Sequence, residues 1–216
     1  ILLCILIILF NMSSFPNNKK AHTDHTIVEN LQERWSPRSF ADTPVEAEKI
    51  QQLFEAARWA ASSYNEQPWR YVVGVKGDSG SYDKIFSCLN EFNQMWAKSA
   101  PVLALSFAKK HFQDDPEKVN HHSWHDTGAA SAQLTMQATE LGLYVHQMAG
   151  LEYDKITKVY DLPDAIEPVA GLAIGYLGEP SELPENLQDG ETADRERKAL
   201  DDFVFGEEFG ETSELL

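Results

Sequence analysis

The sequence predicts the α+β class, an α/β sandwich built as one domain, and three observations predict it. Four short apolar segments, partly β-branched and bounded by glycine, proline or charged residues, read as strands. Two longer segments repeat apolar residues at helical spacing, so each offers one buried face. A chain of 216 residues that is 43% hydrophobic and 24% charged is long enough to bury one sizeable core.

Taken in order, the chain opens on Ile1 to Phe10 (ILLCILIILF), an unbroken apolar run with no methionine before it. The run is too short for a transmembrane helix, which needs about 20 residues. It also lacks the basic region and small-residue cleavage site of a secretory signal. Met12 opens a polar stretch, MSSFPNNKKAHTDHT, that reads as an ordinary unstructured amino terminus. A mis-assigned or truncated start is therefore favoured over a clipped membrane anchor.

Thr43-Pro44-Val45-Glu46 has the form of a helix start, with Thr43 as N-cap, Pro44 at the first helical position and Glu46 completing a capping box. Ile50, Leu53, Phe54, Ala57 and Ala61 then line one helical face. The strands are Tyr71 to Val75 (YVVGV), Pro101 to Phe107 (PVLALSF), Leu143 to Gln147 (LYVHQ) and Pro168 to Tyr176 (PVAGLAIGY). Between the second and third, Ala130, Leu134, Ala138 and Leu141 form a stripe, and Gly142 is placed to end that helix in the left-handed conformation. The alanines and Gly128 would let this helix pack closely, which makes it central. From Glu179 the chain is acidic and loop-like, yet it holds Arg195, Arg197 and Lys198 and then Phe203-Val204-Phe205. Such a segment packs poorly alone, and a natural solution is for it to lie across another surface, such as that of a second subunit.

The formal net charge of -16 leaves no basic field for a phosphate backbone or an anionic lipid surface, which disfavours nucleic acid and membrane partners. Any anionic ligand must be met by locally clustered arginines. The two cysteines, Cys4 and Cys88, make no CxxC pair, so neither a disulfide framework nor a thiolate zinc site is suggested and a reducing cytoplasm is expected. His121, His122 and His125 invite a metal reading, but a polar approach to the following helix explains them better. No metal is expected.

Four segments carry candidate chemistry. In Arg34-Trp35-Ser36-Pro37-Arg38, period two places Arg34, Ser36 and Arg38 on one side of an extended segment, a donor-rich edge for an anion. Taken alone, a solvated loop with two arginines is the commoner explanation. Ser62, Ser63, Asn65 and Gln67 offer hydroxyl and amide groups that suit a heterocycle's edge, or else a turn capped by its own side chains. In Gln147-Met148-Ala149-Gly150 the small residues would admit a flat ligand close to the main chain, or simply end a strand. Arg195-Glu196-Arg197-Lys198 is a basic knot whose bland reading is a surface salt-bridge cluster.

In this order, RxSxRxF, SSxNxQPW, the HDTGAA helix opening at His125, QMAG after the next strand and RxRKxL near the end, the sequence resembles the FMN-dependent nitroreductase family from about Ile27 to Phe205. The resemblance implies a central, mostly antiparallel sheet flanked by helices. It divides the chain into a lead at 1–26, an FMN-binding domain at 27–205 and an acidic tail at 206–216. It further implies that Arg34, Trp35, Ser36 and Arg38 bind FMN, with Arg34 on the phosphate and Arg38 near the pyrimidine edge, and that Arg195 and Arg197 complete the phosphate site. Ser62, Ser63, Asn65 and Gln67 would reach the flavin from the partner of a homodimer, while Met148, Ala149 and Gly150 would face N5. A further polar contact falls on Asn90, Asn93 or Gln94. Ala61 and Ala149 depart from residues that many relatives carry, proline and, in some, an acidic side chain.

The implied activity is NAD(P)H-dependent reduction of small acceptors, nitroaromatics or quinones, by ping-pong hydride transfer through N5. Arg38 would act electrostatically, a positive charge favouring the state in which negative charge develops. The alternatives are another reaction on the same scaffold, such as flavin reduction, reductive dehalogenation or dehydrogenation, and a non-catalytic flavin-binding protein.

Overall fold

The computed structural model describes residues 19–78 and 80–216, so the apolar run Ile1 to Phe10, Cys4 and Met12 lie outside the described residues. Its centre is a sheet of β1 (Trp69–Val75), β2 (Val102–Lys109), β3 (Tyr144–Met148) and β4 (Ile166–Gly175), in the order β1-β2-β4-β3. Every neighbouring pair is antiparallel. All four expected strands form, with ends shifted by one or two residues. β2 is central and buried along nearly its whole length, which is why its sequence reads as an apolar run rather than an alternation. Pro168 cannot donate to a ladder, and the register between β2 and β4 slips beside it, between Ser106 and Phe107.

Helices cover both faces. Leu53 and Ala57 of α2 (Ala47–Arg58) and Ala130, Leu134 and Ala138 of α5 (Ser123–Glu140) pack on Val102, Ala104, Leu172 and Ile174. The opposite face, with Leu103, Leu105 and Phe107, receives α3 (Ser81–Ser87), α4 (Glu91–Ala97), α6 (Tyr153–Tyr160) and α7 (Glu185–Thr192) through Ile85, Trp96, Ile156 and Leu187. A short α1 (Glu29–Glu33) precedes the arginine segment. Leu103, Leu105 and Phe107 face one way and Val102 and Ala104 the other, as a period of two requires. α5 stops where Gly142 takes φ +71° and the Leu143 N–H donates back to the Ala138 carbonyl at 2.8 Å, a left-handed helix end.

Several expectations are corrected. Thr43 is not an N-cap: α2 begins at Ala47, and the extended residue before it is Glu46. Val45 is buried in the core, and the Glu46 carboxylate accepts from the Tyr176 hydroxyl at 2.7 Å instead of closing a capping box. Ala61 lies beyond α2 and is exposed, and Ala60 takes the buried place. Gly128 is exposed with nothing within 4 Å of where a Cβ would stand, so the alanines alone let α5 pack closely. The stretch read as loop after Glu179 contains α7, because Leu183 and Leu187 reach the core. Phe203 remains 56% exposed and Phe205 meets only the tail's Phe209 ring among aromatic partners, so this end buries little within one chain.

Candidate functional site

The segment leading from α1 toward the sheet alternates as an extended chain must. Trp35, Pro37 and Ser39 are buried, while Arg34, Ser36 and Arg38 keep an open side. Three elements fix it in place. The Glu191 carboxylate of α7, 1% exposed, accepts from the Arg38 N–H at 2.9 Å and the Ser39 N–H at 3.0 Å. His146 of β3 holds the Pro37 carbonyl through Nδ1 at 2.8 Å, with its ring 4.5 Å from that of Trp96. The Gly178 N–H, just past β4, donates to the Ser39 carbonyl at 3.0 Å. Trp35 itself sits edge-on to Tyr144 at 6.0 Å, with the Lys19 ammonium 4.9 Å from its ring centre.

Around this segment lies a cleft of about 190 Å³ lined by Lys19, Arg34, Ser36, Arg38, Glu191 and, from the chain beyond α7, Arg195 and Arg197. The structure therefore brings together arginines more than 150 residues apart in sequence. Arg195 donates to the carbonyls of Lys19 and Gln32 at 2.9 and 2.8 Å, and Arg197 to that of Glu196 at 2.6 Å. Arg34 reaches the Ser36 hydroxyl at 3.2 Å. Among the described residues no ion pair joins any of these four guanidiniums to a carboxylate, and Arg38 Nε is buried without a partner. Such a concentration of positive charge is unfavourable to itself. Burial first, then the neighbouring Arg197, pushes the Arg34 pKa down; burial, Arg34 and Arg197 do the same to Arg195. An arriving anion would relieve both costs.

Three titrating groups here are shifted toward their neutral forms, the buried Glu191 and Lys19 and the half-buried His146; for Lys19 burial lowers the pKa, against the pull of Glu191 and Asp194. Burial raises the Glu191 pKa, against the opposing pull of the Ser39 and Arg38 N–H groups and of the Arg38 and Lys19 charges. Burial lowers the His146 pKa to about 4, opposed by its bond to Pro37 and assisted by the positive charges of Arg38 and Arg34.

The strand-end segment approaches the same region through α4. The Arg38 guanidinium lies over the Phe92 ring at 5.9 Å, and the Gly150 carbonyl accepts from the Asn90 N–H and from Asn93 Nδ2, each at 3.0 Å. A Cβ on Gly150 would stand 2.5 Å from Asn90 Nδ2. A side chain here would displace the Asn90 and Asn93 amides, so the contact with α4 favours glycine whether or not a ligand comes near. Met148 is buried in the core and Ala149 is exposed. Asn90 caps α4 by accepting from the Asn93 N–H, and Gln94 donates to the Leu89 carbonyl at 2.7 Å.

The turn Ser62 to Gln67 is placed apart. None of Ser62, Ser63, Asn65 and Gln67 lines the arginine cleft; they border two other hollows, with Trp59 on one side and His122 and His125 on the other. Tyr64, Asn65 and Gln67 have φ of 54°, 57° and 51°, and Tyr64 is 87% exposed. Asp126 of α5 accepts from the Ser63 N–H at 2.9 Å and pairs with His125 at 3.0 Å. No group of three or more His, Cys, Asp or Glu among the described residues is arranged to hold a metal ion, and no described helix is long and apolar enough to cross a membrane.

Lys19, Phe92, His146 and Glu191 escaped the sequence reading. A capping-like Glu191 beside Gly190 carried no signal, since the tail has many acids. His146, a lone histidine in an apolar strand, was the one residue a search for interrupted apolar runs would have found.

The model of the Nitroreductase family matches residues 31–84 and 78–176, ending before Arg195. A solved oxidoreductase containing FMN is similar over 88% of this chain and 96% of its own, at 35% identity and TM-score 0.83. A nitroreductase family protein from Clostridium difficile covers 86% of this chain and 100% of its own, at 28% identity and TM-score 0.66. A Polynucleobacter asymbioticus protein named for NADH dehydrogenase or NAD(P)H nitroreductase activity is 27% identical over 68% of this chain and 82% of its own.

Proposed function

The chain belongs to the nitroreductase family, and from that premise we propose that it is an FMN-dependent NAD(P)H oxidoreductase reducing small acceptors such as nitroaromatics or quinones. The observation that carries this reading is the cleft of four guanidiniums that form no ion pair with a carboxylate among the described residues, in a chain of net charge -16. The residues present fit FMN: a phosphate would supply the negative charge that the hydroxyl and carbonyl acceptors of Arg34, Arg195 and Arg197 do not, and the buried Nε of Arg38 is an unmet donor beside them. The names of the similar proteins, one containing FMN and one for NAD(P)H nitroreductase activity, support the same choice.

In this reading Arg34, Arg195 and Arg197 hold the phosphate, with Ser36 and Trp35 beside them, and Arg38 faces the pyrimidine edge. Met148, Ala149 and Gly150 offer main chain to the ring. When bound, FMN would supply two-electron redox chemistry between NADH or NADPH and the acceptor, in a ping-pong alternation. Arg38 contributes charge that favours negative character at the edge it faces. Phe92 flanks its guanidinium at 5.9 Å, and Glu191 holds its backbone N–H.

A homodimer completes the site in this reading, with Ser62, Ser63, Asn65 and Gln67 coming from the partner subunit and the exposed Phe203 and Phe209 lying across it. Three features support this: the turn stands outside the cleft, the tail buries little, and about 190 Å³ is below the roughly 300–1,000 Å³ of small-molecule pockets. The free buried thiol of Cys88 suits a cytoplasmic location. The test is anaerobic titration. Yellow protein should bleach with NADPH under nitrogen and regain colour with menadione; protein left colourless after FMN reconstitution ends the reading.

A further inference from the structure

We propose that Glu191 is a positioning residue for the flavin site, its buried carboxylate holding Arg38 where the guanidinium can serve a ligand. This rests on the reading of the cleft as an FMN site. The carboxylate uses both oxygens on main chain: the Arg38 N–H reaches Oε1 and Oε2 at 2.9 and 3.0 Å, and the Ser39 N–H reaches Oε1 at 3.0 Å. Among the described residues no ion pair forms between Glu191 and the Arg38 side chain, although both line the same cleft. An acid that merely neutralised the cleft would pair with a guanidinium. This one grips the backbone beneath it and leaves the charge free.

The preceding residue, Gly190, runs beside the guanidinium: a Cβ there would stand 4.0 Å from Arg38 Nη1, an ordinary contact. On the other side Phe92 supports it, with the guanidinium carbon 5.9 Å from the ring centre. Backbone, flank and face of Arg38 are thus set by α7 and α4, two elements distant in sequence, as expected where a donor must be oriented in advance.

Charge and position predict opposite results, which makes the idea testable. A negative charge beside an anion site opposes binding, so if Glu191 acted only through its field, Glu191→Gln would tighten FMN. If it acts by holding Arg38, the same change weakens FMN, because the amide sets an NH2 donor against the Arg38 N–H where Oε2 now accepts and removes the charge from the bonds to Oε1. FMN dissociation constants should be measured by flavin fluorescence on ligand-free protein for wild type, Glu191→Gln, Arg38→Ala and the double variant. The expected result is about tenfold weaker binding for Glu191→Gln, the scale of a lost charge-assisted hydrogen bond. In the Arg38→Ala background the expected change is less than about twofold, since a residue acting through another has nothing left to position. Glu191→Asp keeps the charge but shortens the reach; it should also weaken FMN, and it carries the test if the glutamine variant does not fold. Unchanged or tighter binding, or an equal loss in both backgrounds, overturns the proposal. Wild type that binds no FMN overturns the flavin reading and this one with it, whereas wild type that binds beside unaffected variants overturns this one alone.

Discussion

The arginine cleft and the amide turn both present polar groups suited to a phosphorylated heterocycle, but they are held in different ways. Arg34 to Phe40 is fixed from outside: Glu191 reaches it from α7, His146 from β3, Gly178 from the end of β4. The turn is fixed mostly by itself, the Gln67 N–H donating to Ser62 Oγ at 3.0 Å and Gln67 Nε2 to the Asn65 carbonyl at 3.1 Å. Its long-range ties are few, chiefly Asp126 to the Ser63 N–H and Lys109 to Glu66. Three of its residues sit in the left-handed region without being glycine, a conformation that stores strain. One region is organised by the fold. The other is a strained surface held chiefly by its own bonds.

If distant groups anchor the cleft, acid should loosen it. His146 prefers to be neutral when folded, its pKa lying at about 4 instead of the ordinary 6.5. The unfolded chain therefore takes up this proton first, and the stability contributed by His146 is full above pH 6.5 and is lost as pH falls to about 4, where the loss levels off. At about 1.4 kcal/mol per pKa unit the loss is on the order of 3 kcal/mol. Urea unfolding of wild type and His146→Gln across this range should show a shallower pH slope in the variant; equal slopes would remove His146 as an acid-sensitive anchor.

Next in size is the cleft itself. Arg34→Ala should weaken FMN by about 1.5–3 kcal/mol, one charge-assisted contact. Arg197→Ala should act in the same direction by less, since Arg197 is exposed. Equilibrium dialysis measures both, and unchanged affinity in the pair would remove the phosphate-site assignment. The smallest effect belongs to the turn, where Gln67→Gly should raise stability by roughly 0.5–1 kcal/mol by relieving a positive φ. If the turn serves a partner's flavin, the same variant should bind FMN less tightly despite its higher melting temperature. A variant both more stable and equally tight would separate the turn from the site.

The parts that could be read from the sequence were those decided locally. β2 and β4 announce themselves because a strand covered on both faces must be apolar throughout, and Gly142 because a helix end in the left-handed conformation favours glycine. The start of α2 was misread because its outcome depends on Tyr176, about 130 residues away, which takes the Glu46 carboxylate. Glu191 was invisible for a related reason: in an acidic tail nothing local distinguishes the carboxylate that turns inward. The arginines could be singled out, but which of their neighbours restrain them could not, because those restraints cross from α7 and β3 into a segment that precedes both.

Arg195 binds carbonyls of residues 19 and 32, lying 176 positions after the first of them. The pocket walls thus come from both extremes of the described polypeptide, and no fragment emerging from a ribosome can shape them until Arg195 has been added. If the cleft is the flavin site, a carboxyl-terminal truncation before Arg195 should load FMN poorly.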